Sequence, residues 1–320
     1  MATLRTIRLR IKGTKNIKQI TRAMEAVSAV KMRKSQQVAL SARPYAIAAL
    51  QILRTLSASG RWHLSPDLRF NLLQEREVKN ILLVVVTSDK GLAGPFNTNV
   101  LKKAEAFSNS MLPRAIAKPE IQMVTVGKKA TEYFSRRGRK PLASWTGFGD
   151  FVELKDVEPL FKTVLELFTE KKTDEVYIVY TNFLSAMKQE VVLRKLLPFS
   201  EEGLEEMVKG IVPERGKFSE AQPQRSSEVE PRKLSEYLFE PSPQEIFRSI
   251  LPALLEIELY HAILEANASE HSSRMIAMRN ATDNATELIK SYTVIMNKAR
   301  QSAINKELAE IAGGSEALAA

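Results

Sequence analysis

A heptad-spaced pattern occupies each end of this 320-residue chain, and a strand-rich stretch separates the two. Near the carboxyl end, Met278, Ala281, Ala285, Leu288, Tyr292, Ile295, Ala299 and Ser302 recur in steps of three and four. That is the spacing of a helix presenting one narrow seam to a partner helix. Ser242, Pro243 and Glu245 mark its start as N-cap, first helical residue and capping-box acid, and Gly313-Gly314 is expected to end it. Over 243–312 such a helix is about 100 Å long, far beyond an ordinary globular helix. Pro252 is a candidate kink. At the amino end Leu4, Ile7, Ile11, Ile17, Ile20, Met24, Val27, Val30 and Val38 form a second stripe, with Gly13 as a weak point and Pro44 as a bend. Two remote helices without complete cores are expected to pair as an antiparallel coiled coil.

The middle changes period. Residues 80–87, 121–126 and 175–181 are apolar, β-branched runs of the kind found in strands buried on both faces. Helical patterns at 102–111 and 158–170 fall between them, which predicts an α/β unit with a mostly parallel sheet. Residues 189–197 read as a further strand at an edge. The expected division is 1–58 for the amino-terminal coiled-coil helix, 59–78 for a linker and 79–197 for the α/β domain. A proline- and glutamate-rich excursion then occupies 198–241, and the carboxyl-terminal helix 242–320.

Chemistry is hard to find. The chain has no cysteine, which removes disulfides, thiolate metal sites and a cysteine nucleophile together. His261 and His271 lie ten residues apart on the long helix, read as on roughly opposite sides of it, and His63 is in the linker, so no metal-ligand spacing arises. Asp150, Glu153, Asp156 and Glu158 read as a solvated turn and helix entry, not a calcium loop. The loop after the first strand, SDKGLAG at 88–94, lies where phosphate loops sit but has neither the Walker spacing nor a full Gly-x-Gly-x-x-Gly. Gly91 and Gly94 are expected to make a tight strand-to-helix turn. No catalytic, cofactor-binding or metal site is expected. The longest apolar run, 81–86, is strand-sized, so no transmembrane span or secretory leader is expected.

The formal charge of +10 is concentrated: residues 1–43 carry eleven basic side chains against the single acid Glu25. Their partner is expected to be acidic. A basic coiled coil on nucleic acid is the alternative from another class. It calls for aromatics among the basic residues, and Tyr45 is the only one before Trp62.

Five segments then resemble, in order, the γ subunit of F-type ATP synthases: ITRAMEAVSAVKMRKSQ at 20–36, TSDKGLAGPFN at 87–97, YLFEP at 237–241, RMIAMRNATDNA at 274–285 and NKARQSAINKEL at 297–308. The resemblance implies an antiparallel coiled coil of the terminal helices with a Rossmann-like domain at its base. It also implies a non-catalytic central shaft, turned by ion (proton) flow, inside a ring of three α and three β subunits. The base would rest on the ε subunit and the membrane c-ring. No cofactor is implied. Matched by motif, Arg300, Gln301 and Asn305 become the contacts with β, with Lys31, Arg33 and Lys34 close by on the other helix. Asn305 stands where the family commonly has threonine. The 198–235 region looks enlarged, as in photosynthetic members with a regulatory insertion there, although thiol switching has no cysteine to use. With no transit peptide expected, the implied location is the cytoplasmic side of a bacterial inner membrane, held peripherally.

Overall fold

The computed structural model describes residues 4–58, 72–110, 119–148, 152–199 and 243–319. The linker around residue 63 and the excursion from 200 to 241 lie outside the described residues, as do Asp150 and Ser242. The chain divides into two units, 1–29 with 274–320 and 30–273. Two long helices, α1 (Leu4–Ala58) and the carboxyl-terminal α5 (Pro243–Ala319), contribute to both.

In the first unit α1 and α5 run antiparallel. Thr21 Oγ1 lies 2.7 Å from Thr282 Oγ1, and Arg279 Nε lies 3.2 Å from Glu25 Oε1, so positions rise on one helix as they fall on the other. Leu4, Ile7 and Ile11 take seam positions as expected, and so do Met278, Ala281, Ala285, Tyr292 and Ala299. Val38 packs against the core of the second unit, but most of the remaining stripe is corrected. After Ile11 the buried line steps through Thr14, Lys18, Thr21, Glu25 and Ser28, while Ile17, Ile20 and Val27 are more than half exposed. Met24 is half-buried. On α5, Leu288, Ile295 and Ser302 turn outward, and Thr282, Ile289, Met296 and Ala303 take the seam. The physical reason is register: six residues separate Ile11 from Ile17, which breaks the three-four stepping, and a coiled coil keeps the period even where the seam residue is polar. Small seam residues such as Ser28 and Ala285 let the helices approach closely.

The carboxyl-terminal stop also needs correction. Helix α5 continues through Gly313-Gly314 to Ala319. Alanine, leucine and glutamate beyond the glycine pair are strong helix formers, and glycine lowers helix propensity without forbidding it. Both α1 and α5 pass through their prolines, Pro44 and Pro252, and Pro243 is the first helical residue, as its position before Glu245 suggests.

The second unit holds a five-stranded sheet in the order β3-β2-β1-β4-β5. Its strands are β1 (Asn80–Val86), β2 (Glu120–Val126), β3 (Ala143–Trp145), β4 (Glu175–Phe183) and β5 (Gln189–Leu197). The first four are parallel, and β5 closes one edge antiparallel to β4. Strand β1 shows why its sequence is uninterruptedly apolar. Ile81, Leu83 and Val85 face α2 (Phe96–Ser110) and α3 (Lys128–Arg136). Leu82, Val84 and Val86 instead face the core built by α4 (Leu154–Thr169) and by α5 from Leu251 to Ala266. A strand covered on both sides has no polar face to alternate with. Helix α3 and strand β3 are not among the expected elements, because α3 is short and highly charged and β3 has only three residues.

Candidate functional site

A doubly wound sheet places its usual ligand crevice outside the carboxyl ends of its strands, so the loop after β1 is the first place to look. There the chain's own atoms occupy it. Asp89 Oδ1 accepts from the Lys128 backbone N–H and Asp89 Oδ2 from that of Gly147, both at 2.8 Å. The next two amides of α3 are taken as well: Lys129 N donates to Ser88 O at 3.1 Å, and Ala130 N to Thr87 Oγ1 at 2.9 Å. Asn97 braces the turn from α2, accepting from Ser88 N at 3.0 Å and donating from Nδ2 to Ser88 Oγ at 2.8 Å. A helix N-terminus whose first three amides are already paired has nothing left for a phosphate. The segment 87–97 is therefore a latch joining the loops after β1, β2 and β3. Gly94 has φ +56 in the turn into α2, as expected of the strand-to-helix turn.

This latch makes a direct prediction. Asp89→Ala removes two charge-assisted hydrogen bonds whose freed amides water can reach, and is expected to cost about 1–2 kcal/mol. Urea denaturation compared with wild type measures the cost, and unchanged stability would show that the loops hold without the carboxylate.

Among the described residues no group of acidic, histidine or cysteine side chains could hold a metal ion. Glu153 and Asp156 do enter a helix, with the Glu153 backbone N–H donating to Asp156 Oδ2 at 2.8 Å. His261 and His271 are both buried. Ten residues set them only about 80° apart on a helix, not on opposing sides, and α5 is covered broadly enough here to bury both. Near His261 lie Glu258, Glu265 and Tyr180, all buried, with Arg194 on β5. Burial, partly opposed by the Arg194 guanidinium, holds the Glu258 carboxyl up at about 8.

The remaining candidates are surface contacts. Arg300, Gln301 and Asn305 are exposed along the last stretch of α5. In the register fixed by Thr21–Thr282 and Glu25–Arg279, Arg300 is level with the start of α1 and the other two lie beyond it. Lys31 is half-buried, Arg33 and Lys34 are exposed, and all three belong to the other unit, so the two sets are not brought together within one unit. Lys31 and Lys34 are already engaged in interactions.

What the sequence reading missed is apolar. In the first unit Leu9, Ile17, Ile20 and Val27 on α1, and Leu288, Val294, Ile295, Ile304, Leu308 and Ile311 on α5, face outward around a partly polar seam. Val30, in the second unit, is also exposed, and at the latch Leu92 is exposed with a left-handed φ of +64. A leucine held in that backbone region and turned to solvent is a contact candidate. The signal was present in the six-residue gap between Ile11 and Ile17, which moves the later apolar residues off the seam.

The chain matches the family model described as ATP synthase over residues 3–318. It is 39% identical to the ATP synthase gamma chain of Roseiflexus castenholzii over 100% of its own length and 99% of that protein. It is 38% identical to that of Pelotomaculum thermopropionicum, covering 99% and 100%. Among solved structures it matches a chain of the Euglena gracilis mitochondrial ATP synthase OSCP/F1/c-ring assembly at TM-score 0.62 and 20% identity, covering 98% and 94%. A chain from the central stalk and c-ring of the Tetrahymena thermophila enzyme matches at TM-score 0.55 and 22% identity, covering 82% and 99%. These two structural likenesses concern the fold.

Proposed function

This chain belongs to the ATP synthase γ family and is a rotor subunit without a catalytic site of its own, and from that premise we propose how it works as a shaft. The observation that carries the reading is the mixed pattern of the helix pair: threonine, glutamate and serine take seam positions at Thr21, Glu25 and Ser28, while isoleucine, valine and leucine at Ile17, Ile20, Val27 and Leu288 stay outside. A surface of that kind marks a site where another protein docks. A sleeve of partner subunits supplies the cover, and apolar contact suits a bearing because it is non-directional and does not lock the shaft at one angle.

In this reading three α and three β subunits enclose the helix pair. The α/β domain stands toward the ε subunit and the c-ring, on the cytoplasmic side of a bacterial inner membrane. Among the described residues no helix is long and apolar enough to cross a membrane, in keeping with peripheral attachment through the complex. Proton flow turns the rotor, and its asymmetric shaft carries the β sites in turn through states that bind ADP and phosphate, form ATP and release it. Directional grip then falls to the polar residues. Arg300 offers a planar fork that holds a carboxylate bidentately, with Gln301 and Asn305 beside it. Lys31, Arg33 and Lys34 supply positive charge to acidic loops of the ring, and Leu92 adds an apolar contact. The nucleic-acid alternative receives no support from the relatives.

Native mass spectrometry of the chain co-expressed with α and β subunits from the same organism tests the reading. One copy with three of each is expected, and a chain that remains alone would overturn it. Arg300→Ala is expected to leave the isolated chain folded while lowering ATP-driven proton pumping by the reconstituted complex roughly 3- to 10-fold, the net worth of one ordinary hydrogen bond. Pumping equal to wild type would remove Arg300 from the grip.

A further inference from the structure

One line of α5 in the second unit is polar throughout: Glu258, His261, Glu265, Ser269 and Ser272, stepping by three or four and each at most 5% exposed. It faces β4, β5 and the turn between them. Ser269 Oγ donates to Thr181 O at 3.2 Å, and Ser272 Oγ donates to Ala186 O at 2.6 Å. Gln189, the first residue of β5, donates from Nε2 to Ser272 Oγ at 3.1 Å and accepts from Ser273 Oγ at 3.0 Å. Further along, Glu265 acts on Tyr180 of β4 and lies 3.5 Å from His261 Nδ1. The Arg194 guanidinium of β5 acts on Glu258 and stands 5.4 Å from the centre of the Tyr180 ring. The same stretch of α5 has ample apolar material, since Leu251, Leu254, Leu255, Leu259, Ile263 and Ala266 all join the core.

The choice of polar groups for this one line has a mechanical meaning. Apolar packing is proportional to area and carries no direction, so a helix held by it alone rolls or slides with little change in buried surface. A buried hydroxyl bonded to one particular carbonyl tolerates no such movement. A slip of an ångström or two leaves donor and acceptor both unpaired in a dry site. In some proteins buried polar groups specify register at little net gain in stability.

We propose that this row is a torque key: it fixes the angular and axial register of the β4–β5 ribbon on α5, so that the α/β domain and the helix turn as one body under load. The proposal rests on the rotor reading. Ser269, Ser272 and Gln189 are positioning residues within it. Replacing them with apolar residues of similar size removes direction while keeping the packing, and it raises slipped arrangements roughly 10- to 100-fold.

The test uses the complete ATP synthase complex in vesicles, carrying Ser269→Ala/Ser272→Ala/Gln189→Leu. Subunit composition and ATP hydrolysis are expected to stay near wild type and thermal stability to fall modestly as the Thr181 and Ala186 carbonyls lose their donors, while protons pumped per ATP hydrolysed fall by about twofold or more, and further as the opposing gradient rises. Pumping per ATP equal to wild type at every gradient overturns the key. So does a parallel loss of hydrolysis and pumping, the mark of a merely structural role. If the triple variant does not assemble, Gln189→Leu alone is read against the same criteria. A wild-type chain that forms no pumping complex overturns the rotor reading instead, and the key with it.

Discussion

Gly127→Ala is expected to cost the α/β domain about 4 kcal/mol or more and to shift its urea midpoint accordingly. Gly127 follows β2 and precedes α3 at φ +90 and ψ 141, a region that residues with a side chain rarely enter. Its backbone N–H donates to Trp145 O at 2.8 Å, which fixes the turn to β3. An added Cβ would meet the Thr87 carbonyl oxygen and carbon, which are backbone atoms of the latch and cannot rotate away. Relief requires moving the end of β1 relative to α3, and that breaks the Thr87 and Ser88 contacts with the α3 amides. Gly138→Ala is the control: its φ is +73, but nothing lies within 4 Å of the added carbon, so it carries backbone strain alone. Its expected cost is about 1 kcal/mol. Equal effects of the two substitutions would show that the close approach to Thr87 is unimportant.

That contrast also shows what could be read in advance. The continuous apolar run of β1 was legible because both its faces are covered, and β5 was legible as an edge strand. Gly127 was not, since its constraint comes from a residue forty positions earlier that only the folded sheet brings near. Among surface residues, Arg300 and Gln301 could be picked out by motif, yet their exposure is all the structure adds to them. The outward ridge of Ile17, Ile20 and Val27 was misassigned to the seam because periodicity counts apolar residues, and here the heptad continues through Thr21 and Ser28. The polar line at Ser269 and Ser272 escaped notice for the complementary reason: small hydroxyls on a helix look like surface until their acceptors at Thr181 and Ala186 are known.

Glu258→Gln is expected to leave stability nearly unchanged near pH 5 and to raise it by a few kcal/mol at pH 8–9. Glu258 is buried in α5, and burial lifts its carboxyl from an ordinary 4.5 to about 8, against the partial opposition of Arg194. One carboxylate oxygen, Oε2, has no hydrogen-bond partner. The other groups around this cluster are His261 and Glu265 on α5, Tyr180 on β4 and Arg194 on β5. Tyr180 is itself held well above its usual range, chiefly by burial. For an acid whose folded value exceeds its unfolded one, the folded state holds the proton more tightly. The resulting stability is present in full below the unfolded value, falls by up to about 1.4 kcal/mol per pH unit as pH rises, and is gone once pH passes the folded value. Wild type therefore loses stability between about pH 4.5 and pH 8 from this one group. Glutamine keeps the shape and the neutral charge of the protonated acid, so it removes that slope and keeps the acid-side stability. Denaturation midpoints of both proteins across this range give the answer, and parallel curves would mean that Glu258 does not hold its proton in the folded chain. A positive result would place a neutral Glu258 beside Arg194 at physiological pH and leave that guanidinium's charge to the Tyr180 ring and the rest of the cluster.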